Sequence, residues 1–231
     1  MQAPDPVALA TPMRRALELA WESTRAGSLG IGCVIAAADG EIVATGRNRL
    51  FEHDPGDDHL AGTSLAHAEL NALAKLRWGL HRDAGLTLFT TLQPCLQCLG
   101  AIRMSNVARV VVLAPDPLFR GVEAILDVNA FVAARRLPIE MRPVDEWSVL
   151  GLLLPTHAQA FWSAEWGWAD AVPALSAVAE ELVARQTLLD LASSGAAFEE
   201  VVVTLAPHLG ACIAEVEGLA AHGSTDRGGN T

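Results

Sequence analysis

Two pairs of side chains have types and spacings that could carry chemistry. His67 and Glu69 lie two residues apart, and Cys95 and Cys98 follow further along the chain in a C-x-x-C arrangement. One imidazole and two thiolates suit Zn²⁺ and leave the fourth tetrahedral position to water, as in catalytic zinc sites. Glu69 is not expected to bind the metal. It can move a proton to and from the activated water. The residues therefore predict one catalytic zinc ion per chain.

Two other interpretations of these residues are open. A closed structural zinc site would need a fourth protein ligand, for which the chain offers Cys33, His53 and His59. Cys33 is better explained as a buried strand residue. A redox-active cysteine pair is the other alternative, but it gives the histidine and the glutamate no role.

The zinc-binding residues fall at the starts of two predicted helices. Apolar periodicity, turn residues and β-branched runs predict a helix over 7–26, hairpin strands over 31–37 and 41–45, a loop over 47–65, a helix over 66–78, a strand over 86–91, a helix over 95–104, and strands over 107–113 and 137–141. His67 and Cys95 then lie on first helical turns, where the partial positive charge of a helix favours a thiolate. Strands that alternate with helices predict an α/β sandwich.

The two parts of the chain differ in charge. Residues 1–145 hold a net charge of −2, whereas residues 146–231 hold −9 and almost no strand signal. We therefore predict a zinc-dependent domain over 1–145 and an acidic, mainly helical extension over 146–221. Helices are expected there over 173–193 and 197–217. The small, polar residues 222–231 are predicted to be disordered.

Composition excludes several classes of protein. With 231 residues, 51% of them apolar, the chain can bury a sizeable core, so disorder is excluded as its main state. A net charge of −11 disfavours a general nucleic-acid binder. The uncharged run 147–164 is not expected to span a membrane, because it contains Pro155, Thr156, His157 and Gln159. The N-terminus does not resemble a secretory signal, so we expect a cytoplasmic protein.

The motifs together resemble the cytidine and deoxycytidylate deaminase superfamily, in the branch of tRNA adenosine, guanine and cytosine deaminases. The resemblance covers residues 8–125 and rests on these segments: Gly46-Arg-Asn48-Arg49, His53-Asp-Pro55, His67-Ala-Glu69, Thr90-Thr-Leu-Gln-Pro-Cys95-Leu-Gln-Cys98, and Arg109-Val-Val-Val. It implies a three-layer α/β/α cytidine deaminase-like sandwich with a mixed five-stranded sheet. It also implies zinc on His67, Cys95 and Cys98, Glu69 as proton shuttle, and a homodimer or higher oligomer.

The same resemblance implies three contacts with a substrate. Asn48 would form a hydrogen bond to it, the backbone of Ala68 would contact the edge of the base, and Phe119 would lie beside it. Asn48 could instead be a turn residue that caps a strand end. Surface packing is an equal alternative for Phe119 and the neighbouring Arg120.

Three features depart from the resemblance and bear on specificity. Gln93 stands where that branch usually has glutamate, which affects the packing of a loop more than the chemistry. Residues 56–65 add length to the loop before His67, beside the expected pocket. The extension over 146–221 matches no segment of the family.

Two weaker signals lie in the extension. His208 and Cys212 could form a second metal site, but a capping histidine and a buried cysteine explain them better. Trp162, Trp166 and Trp168 could form an aromatic lid over a flat base, although core packing of the extension is the favoured interpretation.

The sequence thus predicts a zinc-dependent hydrolase that removes the exocyclic amine of a free nucleobase, nucleoside or similar aminated heterocycle as ammonia. The alternatives are a tRNA adenosine deaminase and an inactive deaminase-like binding subunit. A tRNA deaminase needs a basic surface around its pocket, and the net charges of −2 over residues 1–145 and −9 over 146–231 disfavour it. The intact Glu69 and the full set of metal ligands disfavour an inactive subunit. Deamination of a biosynthetic intermediate, as in riboflavin synthesis, is a further alternative that we rank lower.

Overall fold

A computed structural model describes residues 9–54, 56, 58–77, 79, 84–162 and 167–222. The strands in this part of the chain are β1 (Gly32–Ala36), β2 (Ile42–Arg47), β3 (Leu86–Leu92), β4 (Val107–Ala114) and β5 (Ile139–Met141). The helices there are α1 (Thr11–Arg25), α2 (Ala68–Ala74), α3 (Leu96–Arg103), α4 (Val122–Asp127), α5 (Ala130–Ala133), α6 (Glu146–Phe161), α7 (Trp168–Ala171), α8 (Pro173–Ala184), α9 (Thr187–Ser194), α10 (Phe198–Leu209) and α11 (Ile213–His222). The short α4 and α5 were not predicted.

Among the described residues, the strands form one five-stranded sheet in the order β2-β1-β3-β4-β5. β1 pairs antiparallel with β2 and with β3, whereas β3, β4 and β5 are parallel. The hairpin between β1 and β2 turns at Gly40, whose φ of +90° is readily adopted only by glycine. The mixed five-stranded sheet implied by the resemblance is confirmed.

Helices cover both faces of the sheet. Side chains alternate along each strand, and in β4 Val111 packs with residues of α1 and α6. Its neighbours Val110 and Val112 pack on the opposite face with residues of α2 and α3. The chain therefore forms the predicted three-layer sandwich.

α2 lies directly on the backbone of β2. A Cβ added at Gly46 would lie 2.3 Å from the carbonyl oxygen of Ala68 and 2.4 Å from the backbone nitrogen of Ala72. Only a residue without a side chain permits this approach. Gly46 thus sets the height of α2 above the sheet.

α6 is the main element that the sequence did not predict. A capping box of Asp145 and Ser148 begins it, and nearly all of its side chains are buried between the sheet, α1 and α8. The apolar run that starts at Trp147 is therefore a core layer, and Pro155 lies inside the helix.

The remaining helices pack outside α6. The helix expected over 173–193 is two helices, α8 and α9, which separate at Gln186, a non-glycine residue with a φ of +56°. The helix expected over 197–217 is α10 and α11, joined by a 3₁₀ turn over Gly210–Cys212. These helices share one apolar cluster with α1 and α6.

The division of the chain into a domain over 1–145 and an extension over 146–221 stays a prediction. The tail predicted to be disordered lies outside the described residues except for His222, where α11 ends. One helical run in the described part, Phe198–Ala221, is long and apolar enough to cross a membrane by length and composition alone. This is weak evidence, because the core helices of soluble proteins can have the same length and composition, and 39% of an 18-residue stretch of this run is buried in the protein.

Candidate active site

The N-termini of α2 and α3 bring the predicted metal ligands together. His67 is the residue before α2, and Cys95 is the residue before α3, so both lie one position ahead of the first turn on which they were predicted. β3 leads into Cys95 through Pro94. Because α2 and α3 pack on the same face of the sheet, their N-terminal ends meet there.

Three side chains at this meeting point form a group that could hold a metal ion. The donor atoms of His67, Cys95 and Cys98 all lie within 4.8 Å of one another. His67 Nδ1 is 3.6 Å from Cys95 Sγ and 3.5 Å from Cys98 Sγ. A tetrahedral zinc with usual Zn–N and Zn–S bonds separates such donors by about 3.6 Å. The residues therefore fit a zinc ion.

The alternative of a closed structural site finds no support here. Within the described residues, the only group of this kind contains one histidine and two cysteines, without Cys33, His53 or His59. Cys33 lies buried in β1, where burial first, and the charge of Glu69 second, raise the pKa of its thiol well above the usual range. The donor set thus leaves one tetrahedral position to a small molecule.

The thiols of the two cysteines in the group differ in pKa. The hydrogen bond from Cys98 to Cys95 lowers the pKa of Cys95 to about 4. The same bond and burial raise the pKa of Cys98 well above the usual range. The pair therefore shares one proton, which a bound cation would replace.

Glu69 lies beside the donor group in the first turn of α2. It is 4% exposed, its Oε1 accepts a hydrogen bond of 3.0 Å from Thr90 Oγ1, and its Oε2 lies 3.4 Å from Cys98 Sγ. Burial is the main cause that raises the pKa of Glu69. A buried carboxyl group with a raised pKa, next to a metal site, is suited to exchange protons with a reactant.

Asn48 is fully buried at the end of β2, and its side-chain amide has a defined orientation. Its Oδ1 accepts hydrogen bonds from Leu50 N at 3.0 Å and from Ser28 Oγ at 2.8 Å. Because the backbone N–H of Leu50 can only donate, this contact identifies the oxygen of the amide. Asn48 Nδ2 has no hydrogen-bond partner among the residues that the structure describes. The amide therefore keeps one donor unused.

The loop before α2 is tied to the rest of the protein by ion pairs. Glu52 pairs with Arg47 and Arg49, and Asp58 pairs with Arg49 and Lys75. These five side chains are at most about one quarter exposed. The loop that precedes His67 thus has a fixed course over the described residues.

Phe119 lies on the turn after β4, which Asp116 and Gln93 hold. Asp116 accepts hydrogen bonds from Leu118 N at 2.7 Å and Phe119 N at 3.2 Å. Gln93 Oε1 accepts from Asp116 N at 3.2 Å, and Gln93 Nε2 donates to Phe119 O at 3.5 Å. Gln93 therefore shapes a loop, as the sequence indicated.

Asp116 was not singled out from the sequence. It is 3% exposed, and burial raises its pKa to about 7. A carboxylate directly after a buried parallel strand is the signal that could have found it, because the carboxyl ends of such strands often border sites. It lies near enough to Glu69 and Cys95 for their charges to contribute to its raised pKa.

The weaker signals of the extension do not form a second metal site in the described residues. His208 and Cys212 are absent from the metal-binding group there, and Cys212 is buried. Trp168 is buried as expected for core packing, whereas Trp162 is half exposed. Trp166 lies outside the described residues.

Comparison with known proteins agrees with the arrangement of the site. Residues 8–114 match the model of the cytidine and deoxycytidylate deaminase zinc-binding region. A tRNA-specific adenosine deaminase from Streptococcus pyogenes serotype M1 is 33% identical over 118 residues, which are 50% of this chain and 64% of that enzyme. A second one, from serotype M18, is 32% identical over 118 residues, 50% of this chain and 69% of its own length.

A solved structure shares the fold. It comes from a study of A-to-I editing by tRNA A34 deaminases, has a TM-score of 0.50 and 24% identity, and is matched over 61% of this chain and 97% of its own. This chain covers less than two thirds of the first of the curated relatives. The matched region includes every residue of the metal-binding group and Glu69. The chain belongs to the cytidine and deoxycytidylate deaminase superfamily.

Proposed function

We propose that this protein is a hydrolytic deaminase that replaces the exocyclic amine of a free nucleobase, nucleoside or similar aminated heterocycle with a carbonyl. Water is consumed and ammonia is released. The observation that carries the proposal is the buried carboxyl group of Glu69, 3.4 Å from Cys98 Sγ in a donor group that fits zinc. An inactive binding subunit would not need this carboxyl group.

Each residue of the site has a part in this reaction. His67, Cys95 and Cys98 would hold the zinc ion, which when bound supplies the Lewis acidity that activates water. Glu69 takes one proton from the attacking water and delivers it to the ring nitrogen. It then takes the second proton from the hydroxyl group of the tetrahedral adduct and delivers it to the departing amine, so that the carbonyl and ammonia form. Thr90 fixes the carboxyl group of Glu69 for both transfers.

Three residues would contact the substrate. Asn48 Nδ2, the donor left without a partner, is suited to an acceptor on a flat heterocycle. The backbone of Ala68, at the start of α2, is proposed to contact the edge of the base. Phe119 is proposed to border the pocket from the turn after β4.

Electrostatics supports a small substrate. The cationic side chains in and around the loop before α2 are paired with its carboxylates: Arg47 and Arg49 with Glu52, and Lys75 with Asp58. Paired cations release few counterions from a phosphate backbone, so they contribute little affinity for RNA.

Deamination of an adenosine in tRNA is the second candidate. The identity to tRNA-specific adenosine deaminases over half of the chain favours it.

The predicted homodimer also stays a prediction. Exposed apolar side chains on or next to the helices that follow Cys95 offer a surface for it: Leu96, Met104, Ile125, Val128 and Phe131.

Ammonia release separates these possibilities. Zinc-loaded protein is incubated with bases, nucleosides, nucleotides, other aminated heterocycles and tRNA, alongside Glu69→Gln and a control, Glu41→Gln, which changes an exposed carboxylate in the same way. We expect release from a small substrate that Glu69→Gln abolishes and Glu41→Gln preserves. Release from tRNA alone would establish the second candidate, and no release with zinc bound would overturn both.

A further inference from the structure

Trp162, the residue that follows α6, contacts the segment after Asn48. Its ring centroid lies 5.3 Å from that of Phe51, and its Nε1 donates a hydrogen bond of 3.3 Å to the carbonyl oxygen of Gly27. Phe161 packs edge-on against the same ring. A residue outside the region of family resemblance thus reaches two segments that flank the candidate site.

Ser28 connects both of these segments to Asn48. Phe51 N lies 3.4 Å from Ser28 Oγ, and Ser28 Oγ donates to Asn48 Oδ1 at 2.8 Å. Gly27 is the residue before Ser28. Trp162 therefore holds the chain on both sides of the hydroxyl group that orients the Asn48 amide.

This orientation decides which donor Asn48 offers. Oδ1 is occupied by Leu50 N and Ser28 Oγ, and within the described part of the chain only Nδ2 of this amide is left without a partner. If the turn after Asn48 moved, Oδ1 would lose these partners and the amide could rotate. A substrate would then have to pay the entropy of ordering it.

The surroundings of Trp162 do not hold it by close packing. A cavity of about 70 Å³ lies between Ser28, His157, Trp162 and the apolar side chains of α9. Trp162 is 51% exposed. Its position therefore depends on the ring contact with Phe51, the bond to Gly27 and the contact with Phe161.

We propose that Trp162 is a positioning residue for substrate binding, which acts through Phe51 and Ser28 on Asn48. The inference rests on the proposed function, since it takes Asn48 to be a substrate contact. Trp162 lies outside the matched residues 8–114, so the C-terminal helices would contribute to the active site a function that the matched region does not provide. The metal-binding group and Glu69 are not involved, so the chemical step itself should not change.

The first test measures binding and chemistry separately. We expect Trp162→Ala to raise KM about tenfold, the effect of one lost orienting hydrogen bond, while kcat and zinc content stay unchanged. Trp162→Phe, which keeps a ring against Phe51, should have a KM close to that of the unmodified protein. Val203→Ala, a change at an exposed position of α10, is the control and should leave both constants unchanged. A Trp162→Ala enzyme with the KM of the control would overturn the proposal.

A double-mutant cycle tests the route through Asn48. If Trp162 acts only by orienting that amide, Trp162→Ala should not raise KM further in an Asn48→Ala background. Independent, additive effects of the two substitutions would contradict the proposed route.

A substrate-independent measurement keeps this inference separable from the proposed function. Hydrogen exchange of the Leu50 and Phe51 amides, which contact Asn48 Oδ1 and Ser28 Oγ, should accelerate in Trp162→Ala and stay unchanged in Val203→Ala. Unchanged exchange in Trp162→Ala would overturn the positioning role even if deamination is established. Accelerated exchange without any deamination would leave the positioning of Asn48 supported and remove the proposed function.

Discussion

The hydroxyl group of Thr90 donates a hydrogen bond of 3.0 Å to Glu69 Oε1, and so joins the middle of the sheet to the helix that carries the candidate proton shuttle. Both residues are buried, and Thr90 Oγ1 also lies 3.1 Å from the carbonyl oxygen of Leu92. The carboxyl group of Glu69 therefore has one oxygen fixed by β3 and the other directed toward Cys98.

Removal of this hydroxyl group should slow the reaction without loss of the metal. We expect Thr90→Val to lower kcat about tenfold, because a buried carboxyl group that loses one hydrogen bond is less well placed. Zinc content, measured by metal analysis, should stay at one per chain. Thr87→Val makes the same chemical change elsewhere on β3 and should leave kcat unchanged. Equal rates for the two variants would show that Thr90 has no part in the reaction.

The metal ligands can be separated from the nearby free cysteine. We expect Cys98→Ala to lose zinc and activity together, because two protein donors bind zinc far more weakly than three. Cys33→Ala should keep one zinc ion per chain, since Cys33 lies outside the donor group. Metal content and ammonia release measured on both proteins check this, and loss of zinc from Cys33→Ala would revive the closed structural site.

Stability should depend on pH through His157. Burial lowers the pKa of His157 to about 4 from an ordinary value of 6.5, and its Nε2 has no hydrogen-bond partner in the described ranges of the chain. Between these pH values the folded protein binds fewer protons at His157 than the unfolded chain does. The free energy of unfolding therefore falls as the pH is lowered from 6.5 toward 4, by at most about 3 kcal/mol from this group.

Urea unfolding at pH 7 and at pH 5 tests this dependence. In His157→Gln the loss of stability between the two pH values should be smaller than in the unmodified protein. Thr156→Val, which alters a neighbouring buried position without a titratable group, should retain the full loss. A His157→Gln protein that loses as much stability as the unmodified one would show that other groups cause the dependence.

A side chain at position 46 should destabilise the protein. In Gly46→Ala the new Cβ would meet the backbone of α2 at 2.3 and 2.4 Å, which neither element can avoid without moving. We expect the free energy of unfolding to fall by about 3 kcal/mol, the upper part of the usual cost of overpacking. Gly218→Ala, where a Cβ meets nothing within 4 Å, should not destabilise the protein. Thermal and urea unfolding compare the two, and a tolerated Gly46→Ala would show that α2 can shift.

A charge at position 93 should weaken substrate binding. In Gln93→Glu the side chain can no longer donate to Phe119 O, and a second carboxylate is added to the turn that Asp116 holds. We expect KM to rise several-fold, because the turn that carries Phe119 loosens, while zinc content stays unchanged. Gln97→Glu places the same charge on the other side of Cys95 and should have a smaller effect. A larger effect at position 97 would assign the change to charge alone.

The candidate metal site could be predicted from the sequence because its signal is local. His67, Cys95 and Cys98 belong to short motifs at helix starts, and chemistry restricts which residue types can serve there. The strands and the hairpin at Gly40 were predictable for the same reason. Asp116 was missed because an aspartate before a proline also fits an ordinary turn, and only its burial sets it apart.

α6 could not be predicted because it has no polar face. A helix that is buried on all sides shows no apolar period, so the run from Trp147 resembles a strand or a membrane segment as much as a core helix. The break at Gln186 has no local signal, since a positive φ is rare for that residue type. The contact between Trp162 and Phe51 joins residues far apart in the chain, which no local pattern encodes.

The position of α6 has a consequence for synthesis of the protein on the ribosome. The chain emerges from its N-terminus, so the sheet and both metal-binding helices are complete before α6 is made. Until then, the face of β4 that includes Val111 and Leu113 has no covering layer from the C-terminal half. The nascent chain therefore exposes an apolar sheet face while the residues up to 161 are added. We expect chaperones to bind the chain most during that interval.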